Sequence, residues 1–453
     1  MPRTSSRTSV EIDVEEKPKR AAVLNPDEPF RILVMGNFSG GAGRNRRLIE
    51  IDRDNFDQVL SLTAPELRLA SGGVQIPVRF RALDDFHPDQ LLARLPLFQK
   101  LRELRQRLAD PAMFSAAAAE LEPRANPPVP NAPTLSGADL LRLMTGEEAP
   151  REIPEEQSGW DRMIGDIVTK YGTASPDPRQ PQWIARIDDA ITGEMRTLLH
   201  HPDFQALESA WRGMYFLVRR LDTGEELKIY LMDLPQEELT SGAGLADIAR
   251  ALDAEPMAAM AGLYAFGKSD EAALERLAAL AQNANVPFLA GLAPSVVGME
   301  EMFGDLRRSL KARWIGLAMP RFLLRLPYGA TTDETETFGF EEMPAPPQHE
   351  RYLWGNPALA CAYLLGEAFS RYGWRMRPGI VQDIEGLPAH IYKAEGANEL
   401  KPCAEILLTE SAAELLIDRG FMPLASIKGS DRIRLVRFQS LAKPAAPLAG
   451  KWE

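Results

Sequence analysis

The residues with the best spacing for chemistry in this sequence lie in a glycine-rich turn, Gly36–Gly43, which follows a short apolar strand. Such a turn can present backbone N–H groups to a phosphate. Read as a P-loop it has the glycine spacing, but Ala42 and Gly43 stand where Lys and Ser or Thr are required. Read as a dinucleotide-binding turn, it has Arg46 at the third glycine position. A joining turn is therefore favoured, and a phosphate- or nucleotide-binding α/β enzyme using Gly36–Gly43 stays as the alternative.

The other chemically active residue types do not form a catalytic or metal-binding pattern. His200 and His201 are adjacent, so their side chains point in different directions on a helix, and no H-x-x-x-H or H-E-x-x-H spacing occurs. Cys361 lies in the apolar run ALACAYLL, where a buried inert thiol is expected. The acidic stretches EEMPAPPQHE and TTDETE contain Pro and Thr, which favours solvated loops. We expect no enzyme activity, no cofactor and no metal.

Composition and charge exclude several classes of protein. A chain of 453 residues with 45% hydrophobic and 26% charged residues has ordinary globular values. The formal net charge of −12 repels phosphate backbones, so nucleic acid is not an expected partner. No run of about 18 apolar residues and no signal-peptide pattern occurs, so no membrane association is expected. Two cysteines suit a reducing compartment, and we expect a cytoplasmic protein.

Composition shifts divide the chain into four parts. Residues 1–28 form a polar arm with a candidate exchange strand, in which apolar and acidic residues alternate: Val10, Glu11, Ile12, Asp13, Val14 and Glu15. Residues 29–122 open with the strand ILVMG and end in a helical pattern. Residues 123–158 hold the Pro-rich linker PRANPPVPNAP and a short amphipathic helix, GADLLRLM, whose apolar face is Leu140, Leu143 and Met144. Residues 159–453 form the largest part.

Helix and strand patterns alternate through this last part, which predicts a mixed α/β fold with β-sheets flanked by helices. LKIYLMDL is a predicted strand, and LERLAALAQNANVPFLAGLA combines a helix with a buried strand. A strand EILLT and a helix SAAELLID are predicted near the end. In the final predicted strand, RIRLVRF, basic and apolar residues alternate until the pattern is interrupted at Val436. The candidate residues of this C-terminal strand are Arg432, Ile433, Arg434, Leu435, Arg437 and Phe438.

The acidic strand near one end and the basic strand near the other favour assembly over catalysis. A lone edge strand is an aggregation hazard, so two such strands are best explained if each completes a sheet. Opposite charges across a strand pair select its direction and register. We therefore predict that the arm of one protomer pairs with the last strand of another.

Several long motifs resemble the contractile sheath of type VI secretion. The stretches PFRILVMGNFSG, IEIDRDNFDQVL and VRFRALDDFHPDQLLARLPLFQKLRELRQRL are similar to the small sheath subunit (TssB, VipA-like), over about residues 7–122. A second set is similar to the large subunit (TssC, VipB-like), over about residues 136–445: LLHHPDFQALESAWRGMYFLV, LKIYLMDL, PRFLLRLPYG, RYLWGNPALACAYLLGEAFSRYGW and GFMPLASIKGSDRIRLVRF. The two subunits are usually separate chains, whereas here one chain resembles both.

The resemblance implies a function and a set of partners. It implies a sheath-protomer fold with terminal strand-exchange arms, and homo-oligomeric rings or a helical tube that polymerises around an inner tube of Hcp-like rings. Contraction of that tube would propel the inner tube outward. Baseplate components and a ClpV-type AAA+ ATPase are further implied partners. The resemblance also makes Leu140, Leu143 and Met144 a candidate ATPase-recognition helix, with apolar anchors at i, i+3 and i+4.

Overall fold

The computed structural model of this chain describes residues 28–41, 46–71, 74–121, 163, 179–296 and 302–452. The described residues form fifteen strands and twelve α-helices. The strands are Phe30–Gly36 (β1), Ile49–Ile51 (β2), Glu66–Ser71 (β3), Val74–Arg79 (β4), Leu227–Asp233 (β5), Ala259–Phe266 (β6), Phe288–Leu292 (β7), Ile315–Met319 (β8), Phe322–Leu323 (β9), Trp354–Gly355 (β10), Asp383–Ile384 (β11), Ile391–Ala394 (β12), Ala397–Leu400 (β13), Met422–Ser426 (β14) and Ile433–Leu435 (β15).

The helices surround these strands in chain order. They are Phe56–Thr63 (α1), Pro88–Arg94 (α2), Pro96–Ala109 (α3), Phe114–Leu121 (α4), Arg179–Leu199 (α5), Pro202–Arg220 (α6), Gln236–Ser241 (α7), Leu245–Ala254 (α8), Glu271–Ala284 (α9), Gly304–Arg308 (α10), Pro357–Tyr372 (α11) and Glu410–Asp418 (α12). No helix in the described part of the chain is both long and apolar enough to span a membrane.

A nine-stranded mixed sheet is the centre of the fold, with the order β11-β15-β14-β8-β7-β6-β1-β5-β2. Its six inner strands, from β14 to β5, run parallel to one another. The outer strands β2, β15 and β11 pair antiparallel. This arrangement confirms the predicted mixed α/β class.

The first strand lies inside this sheet, third from the β2 edge, between two strands that come about 200 residues later. Along β1, Ile32 is level with Ile229 of β5 and with Ala259 of β6. Residues on both sides of the Pro-rich linker therefore build one sheet. The division at residues 123–158 marks a change of composition, whereas the hydrophobic core is continuous across it.

Burial on both faces explains why β1 is apolar without interruption from Ile32 to Gly36, since strands in parallel sheets are covered by helices on each side. Phe30, Ile32 and Val34 belong to the core on one face, where the Phe30 ring stacks on Phe369 of α11 with centroids 4.8 Å apart. Leu33 and Met35 belong to the core on the other face, together with apolar residues of α9.

Two sequence expectations near the end of the chain differ from the structure. EILLT, residues 405–409, is not a strand; the preceding Ala404 makes only a single bridge to Phe322. The last strand is confirmed, but it covers only Ile433–Leu435 and stops where the alternation slips at Val436. SAAELLID is confirmed as α12.

Candidate functional site

The glycine-rich turn uses its backbone donors to bind a carboxylate of its own chain. Gly36 is level with Asp233 at the ends of β1 and β5. The N–H groups of Phe38 and Ser39 donate to Asp233 Oδ1 at 2.8 and 3.1 Å. Asp233 is 2% exposed, and burial raises its pKa although these hydrogen bonds oppose the rise. Two N–H groups that a phosphate-binding turn would offer are therefore already occupied by Asp233.

Arg46, which stands where a dinucleotide turn needs glycine, is also held by carboxylates. Its Nη1 lies 2.5 Å from Asp247 Oδ2, and its Nη2 forms an ion pair with Glu238. Both contacts fasten the end of the turn to the region that follows β5. Residues 42–45 lie outside the described part of the chain. The arrangement favours the joining-turn interpretation over the enzyme alternative.

A cleft of about 450 Å³ lies at the carboxyl edge of the sheet, where an α/β protein commonly binds its ligand. Two amide side chains of its lining bind the protein's own backbone. Gln236 Nε2 donates to Ala265 O at 3.0 Å, and Asn356 Nδ2 donates to Tyr264 O at 2.9 Å. These amides connect loops to the end of β6, so they do not converge on a ligand position.

The histidines and cysteines have structural surroundings. His201 Nδ1 accepts the Asp203 N–H at 3.3 Å and so caps the start of α6. Burial raises the pKa of the Cys361 thiol to about 12 and that of Cys403 to about 11, which keeps both thiols protonated. Among the described residues no group of three or more His, Cys, Asp or Glu side chains is arranged to hold a metal ion.

The structure contains a buried cluster of charged side chains that the sequence did not predict. Arg325 lies between two buried carboxylates: its Nε is 2.8 Å from Glu208 Oε1, and its Nη1 is 2.7 Å from Glu342 Oε2. His200 Nε2 lies 3.2 Å from Glu342 Oε1, and Arg212 Nη2 donates to Tyr328 Oη at 2.9 Å. His200 lies in the turn between α5 and α6, Glu208 and Arg212 belong to α6, and the other three residues lie in the segment after β9. The cluster therefore joins two distant parts of the chain.

Glu342 corrects one sequence expectation. It belongs to the stretch EEMPAPPQHE, for which a solvated loop was expected, yet its side chain is fully buried. Burial alone would raise its pKa, but the Arg325 charge and hydrogen bonds from His200, Arg325 and the Tyr328 N–H lower it to about 2. Both carboxylates of the cluster are engaged by arginine, which suits a fastening role. Sequence spacing gave no signal because the partners are 17 to 117 residues from Arg325.

The last strand is paired on both edges within its own chain. β15 runs between β14 and β11, and it buries Ile433 and Leu435. Arg434 forms a two-pronged ion pair with Asp383 of β11, at 2.6 and 2.7 Å, and Arg432 Nη1 lies 3.2 Å from Glu385.

The acidic partners of these two arginines are therefore residues of the same chain. Between Ile433 and Leu435, β15 has no free edge for a further strand, which leaves the outer edge of β11 and the chain beyond Leu435. There the chain continues with exposed Arg437 and buried Phe438. Two further sets of predicted site residues lie outside the described residues: Val10, Glu11, Ile12, Asp13, Val14 and Glu15 of the arm, and Leu140, Leu143 and Met144 of the short helix.

Two family models match this chain in succession. Residues 4–123 match the VipA family of the type VI secretion system. Residues 181–304 and 301–442 match the tail sheath N-terminal domain of VipB (EvpB), and they make up more than half of the chain.

Two curated relatives from Pseudomonas aeruginosa divide between the same two regions. The type VI secretion system sheath protein TssC1 is 34% identical over 304 residues, which cover 58% of this chain and 61% of TssC1. The sheath protein TssB1 is 29% identical over 117 residues, which cover 23% of this chain and 66% of TssB1. The chain thus spans about three fifths of one relative and just under two thirds of the other.

Solved structures with partial similarity come from the anti-feeding prophage. A chain of its baseplate has a TM-score of 0.31 and 15% identity, over 52% of this chain and 50% of that one. A chain of its helical sheath in the contracted state has a TM-score of 0.27 and 15% identity, over 49% of each chain.

Proposed function

The chain belongs to the type VI secretion tail sheath family, with a VipA part followed by a VipB part, and on that basis we propose that it is the structural protomer of a contractile sheath. Copies of it polymerise around an inner tube and contract to propel that tube. The proposal includes no catalysis and no cofactor. Energy for contraction comes from the packing of protomers, as in other transitions between two packed arrangements.

The observation that carries this proposal is the position of β1. The VipA-type part supplies a strand that lies between two strands of the VipB-type part, with seven register pairs to β5 and four to β6. One chain therefore contains both sheath components in a single folding unit at a fixed one-to-one ratio. A repeated unit of fixed composition suits rings or a helical tube.

The partners of the proposed sheath follow from the family. They are further copies of this chain, an inner tube protein of the Hcp type, baseplate components and a ClpV-type AAA+ ATPase that dismantles the contracted tube. Nucleic acid and membranes are not among them, and the proposed location is the cytoplasm. Two surfaces are proposed for these contacts: the arm and last strand between protomers, and Leu140, Leu143 and Met144 for the ATPase.

Negative-stain microscopy of the purified full-length chain tests the proposal. Tubes or stacked rings are expected. A compact monomer that binds ATP or GTP at micromolar concentration, with binding abolished by bulky residues at Gly41 and Gly43, would instead establish the enzyme alternative. The engaged Asp233 carboxylate and the absence of Lys and Ser or Thr at the end of the turn make that outcome unexpected.

A further inference from the structure

A groove of about 890 Å³ lies just beyond the last strand, at the edge of the sheet where β7 and β8 begin. Its floor is aromatic and apolar, formed by Trp314, Phe438, Leu448 and Trp452. Phe438 and Trp452 are each 8% exposed, so their rings are firmly packed. An occupant of this groove needs apolar side chains.

The rim of the groove is cationic. Arg313, Arg377 and Arg437 are exposed lining residues, and within the described part of the chain none of them forms an ion pair. The lining includes no Asp or Glu, although the whole chain carries a net charge of −12. A local positive field in an acidic protein favours a negatively charged occupant.

A buried amide oxygen adds a requirement for a hydrogen-bond donor. Gln439 lines the groove and is 3% exposed. Its Nε2 donates to Ile417 O at 2.7 Å and to Phe421 O at 2.9 Å, which fixes the orientation of the amide. Its Oε1 is buried and has no hydrogen-bond partner. A buried acceptor without a donor is unfavourable, and a backbone N–H of an extended peptide would satisfy it.

The described chain begins at the rim of this groove. The Glu28 carbonyl accepts a hydrogen bond from Trp374 Nε1 at 2.8 Å, and the Glu28 carboxylate lies 4.0 Å from Lys451 Nζ. Lys451 is flanked by Gly450 and Trp452, which both line the groove. The 27 residues that precede Glu28 therefore join the fold next to an acceptor of matching chemistry.

We infer that, in the unassembled protomer, Val10–Glu15 docks on this groove of the same chain. Its three carboxylates face the three arginines, its Val and Ile side chains cover the aromatic floor, and one of its N–H groups reaches Gln439 Oε1. Residues 16–27 span on the order of 40 Å when extended, enough to allow the contact. Tethering gives an effective concentration of about a millimolar, so a weak interaction suffices.

The docking itself does not depend on the proposed function. Only the role of docking in sheath assembly rests on that function. If the arm links protomers in the sheath, a docked arm is the resting state that has to be released before linkage. The same segment would then pass from its own groove to a neighbour, as in domain swapping. Docking in the free protomer is measurable whether or not tubes form.

The test places a tryptophan-quenched dye at Ser9→Cys in the full-length protein. Cys361 and Cys403 are fully buried, so labelling is directed to the new thiol. Docking brings the dye to a groove lined by Trp314 and Trp452. We expect quenching that is independent of protein concentration in the nanomolar range and weaker at high salt.

Charge variants decide the result. Changing Arg313, Arg377 and Arg437 to Gln together should lower the ratio of docked to free arm about tenfold, because three exposed ion pairs are lost. The matched control changes three arginines remote from the lining, Arg53, Arg68 and Arg250, to Gln and should leave quenching unchanged.

Reversing the charges on both sides distinguishes a lost contact from a misfolded protein. Changing the groove arginines to Glu should abolish quenching, and adding Lys at Glu11, Asp13 and Glu15 should restore it. Absent quenching in the parent protein, quenching that rises with concentration, or equal effects of groove and control variants would overturn the inference. A protein that quenches but forms no tubes would instead contradict only the proposed sheath function.

Discussion

At the scale of single residues, charged side chains inside this protein fasten its parts together. Glu342 and Glu208 hold Arg325 away from water, and Asp233 holds the glycine-rich turn. A buried ion pair is not by itself strong evidence of stability, but removal of one partner leaves an uncompensated charge. Likewise, a buried N–H group that loses its acceptor is left unsatisfied. The following two predictions each remove one partner of such a contact.

Replacement of Glu342 by Gln should lower the free energy of unfolding by about 3 kcal/mol near neutral pH. The folded-state pKa is about 2, below the ordinary 4.5, so the stabilisation is complete above pH 4.5 and is lost as the pH falls towards 2. The difference between parent and variant should therefore shrink over that window. Urea unfolding at several pH values measures this difference in unfolding free energy, with exposed Glu334→Gln as the control. A difference that stays constant from pH 6 to pH 3 would contradict the lowered pKa of Glu342.

Replacement of Asp233 by Ala should cost about 2 kcal/mol of unfolding free energy, because the Phe38 and Ser39 N–H groups lose their buried acceptor. Asp233→Asn keeps an acceptor oxygen and should cost less. Thermal unfolding of both variants, with exposed Asp222→Ala as the control, gives the comparison. Equal losses for Ala and Asn would show that the hydrogen bonds are not what holds the turn.

At the scale of elements, the proposed contacts for assembly and recycling depend on the terminal strands and the short helix that the sequence predicts. The last strand is already paired on both edges through Ile433–Leu435, so a neighbour's arm has the outer edge of β11 or the chain beyond Leu435 available. Variants of the arm should therefore affect tube formation. Variants of the predicted short helix should affect tube disassembly.

Deletion of residues 1–15 should leave a folded protomer that no longer forms tubes. Reversal of Glu11, Asp13 and Glu15 to Lys should weaken assembly more at low salt than at high salt, because exposed charges are screened. Sedimentation and microscopy measure tube formation, and circular dichroism confirms folding. Tubes of normal length from the deletion variant would show that the arm is not the link.

Leu140→Asp combined with Leu143→Asp should block ATPase-driven disassembly while tubes still form. A helix-in-groove contact loses its anchors when charged residues replace them. Light scattering of contracted tubes with the cognate ATPase and ATP follows the reaction. Unchanged disassembly would remove the recognition role.

Local patterns predicted some elements and not others for physical reasons. LKIYLMDL became β5 because a run that is buried on both faces has a strong signal. EILLT is also rich in Leu and Ile, but Leu407 is 65% exposed, and the segment pairs with no strand in the described part of the chain. Glu342 looked like a loop carboxylate because its partners are remote in sequence: the Tyr328 N–H lies 14 residues before it, Arg325 17 and His200 142. Burial by distant partners is invisible to a local pattern.

At the scale of the whole molecule, separating the two family parts should expose inner strands of the sheet. A chain that starts at residue 159 lacks β1, so the edges of β5 and β6 lose their shared neighbour. Unpaired inner strands invite aggregation. We expect this fragment to be insoluble alone and soluble when residues 1–158 are expressed with it. Fractionation of lysates into soluble and insoluble protein measures both cases. A fragment that is soluble without residues 1–158 would contradict the prediction.

The same position of β1 affects how the chain folds during synthesis. The strand leaves the ribosome early, whereas β5 and β6 follow only after about 200 more residues, which at 5–20 residues per second is a delay on the order of ten seconds or more. Through that interval an apolar segment has neither of its two neighbouring strands. When β5 and β6 finally emerge, closure of the sheet is a first-order event within one chain. A fused protomer can therefore mature at a rate that does not depend on how many copies the cell has made.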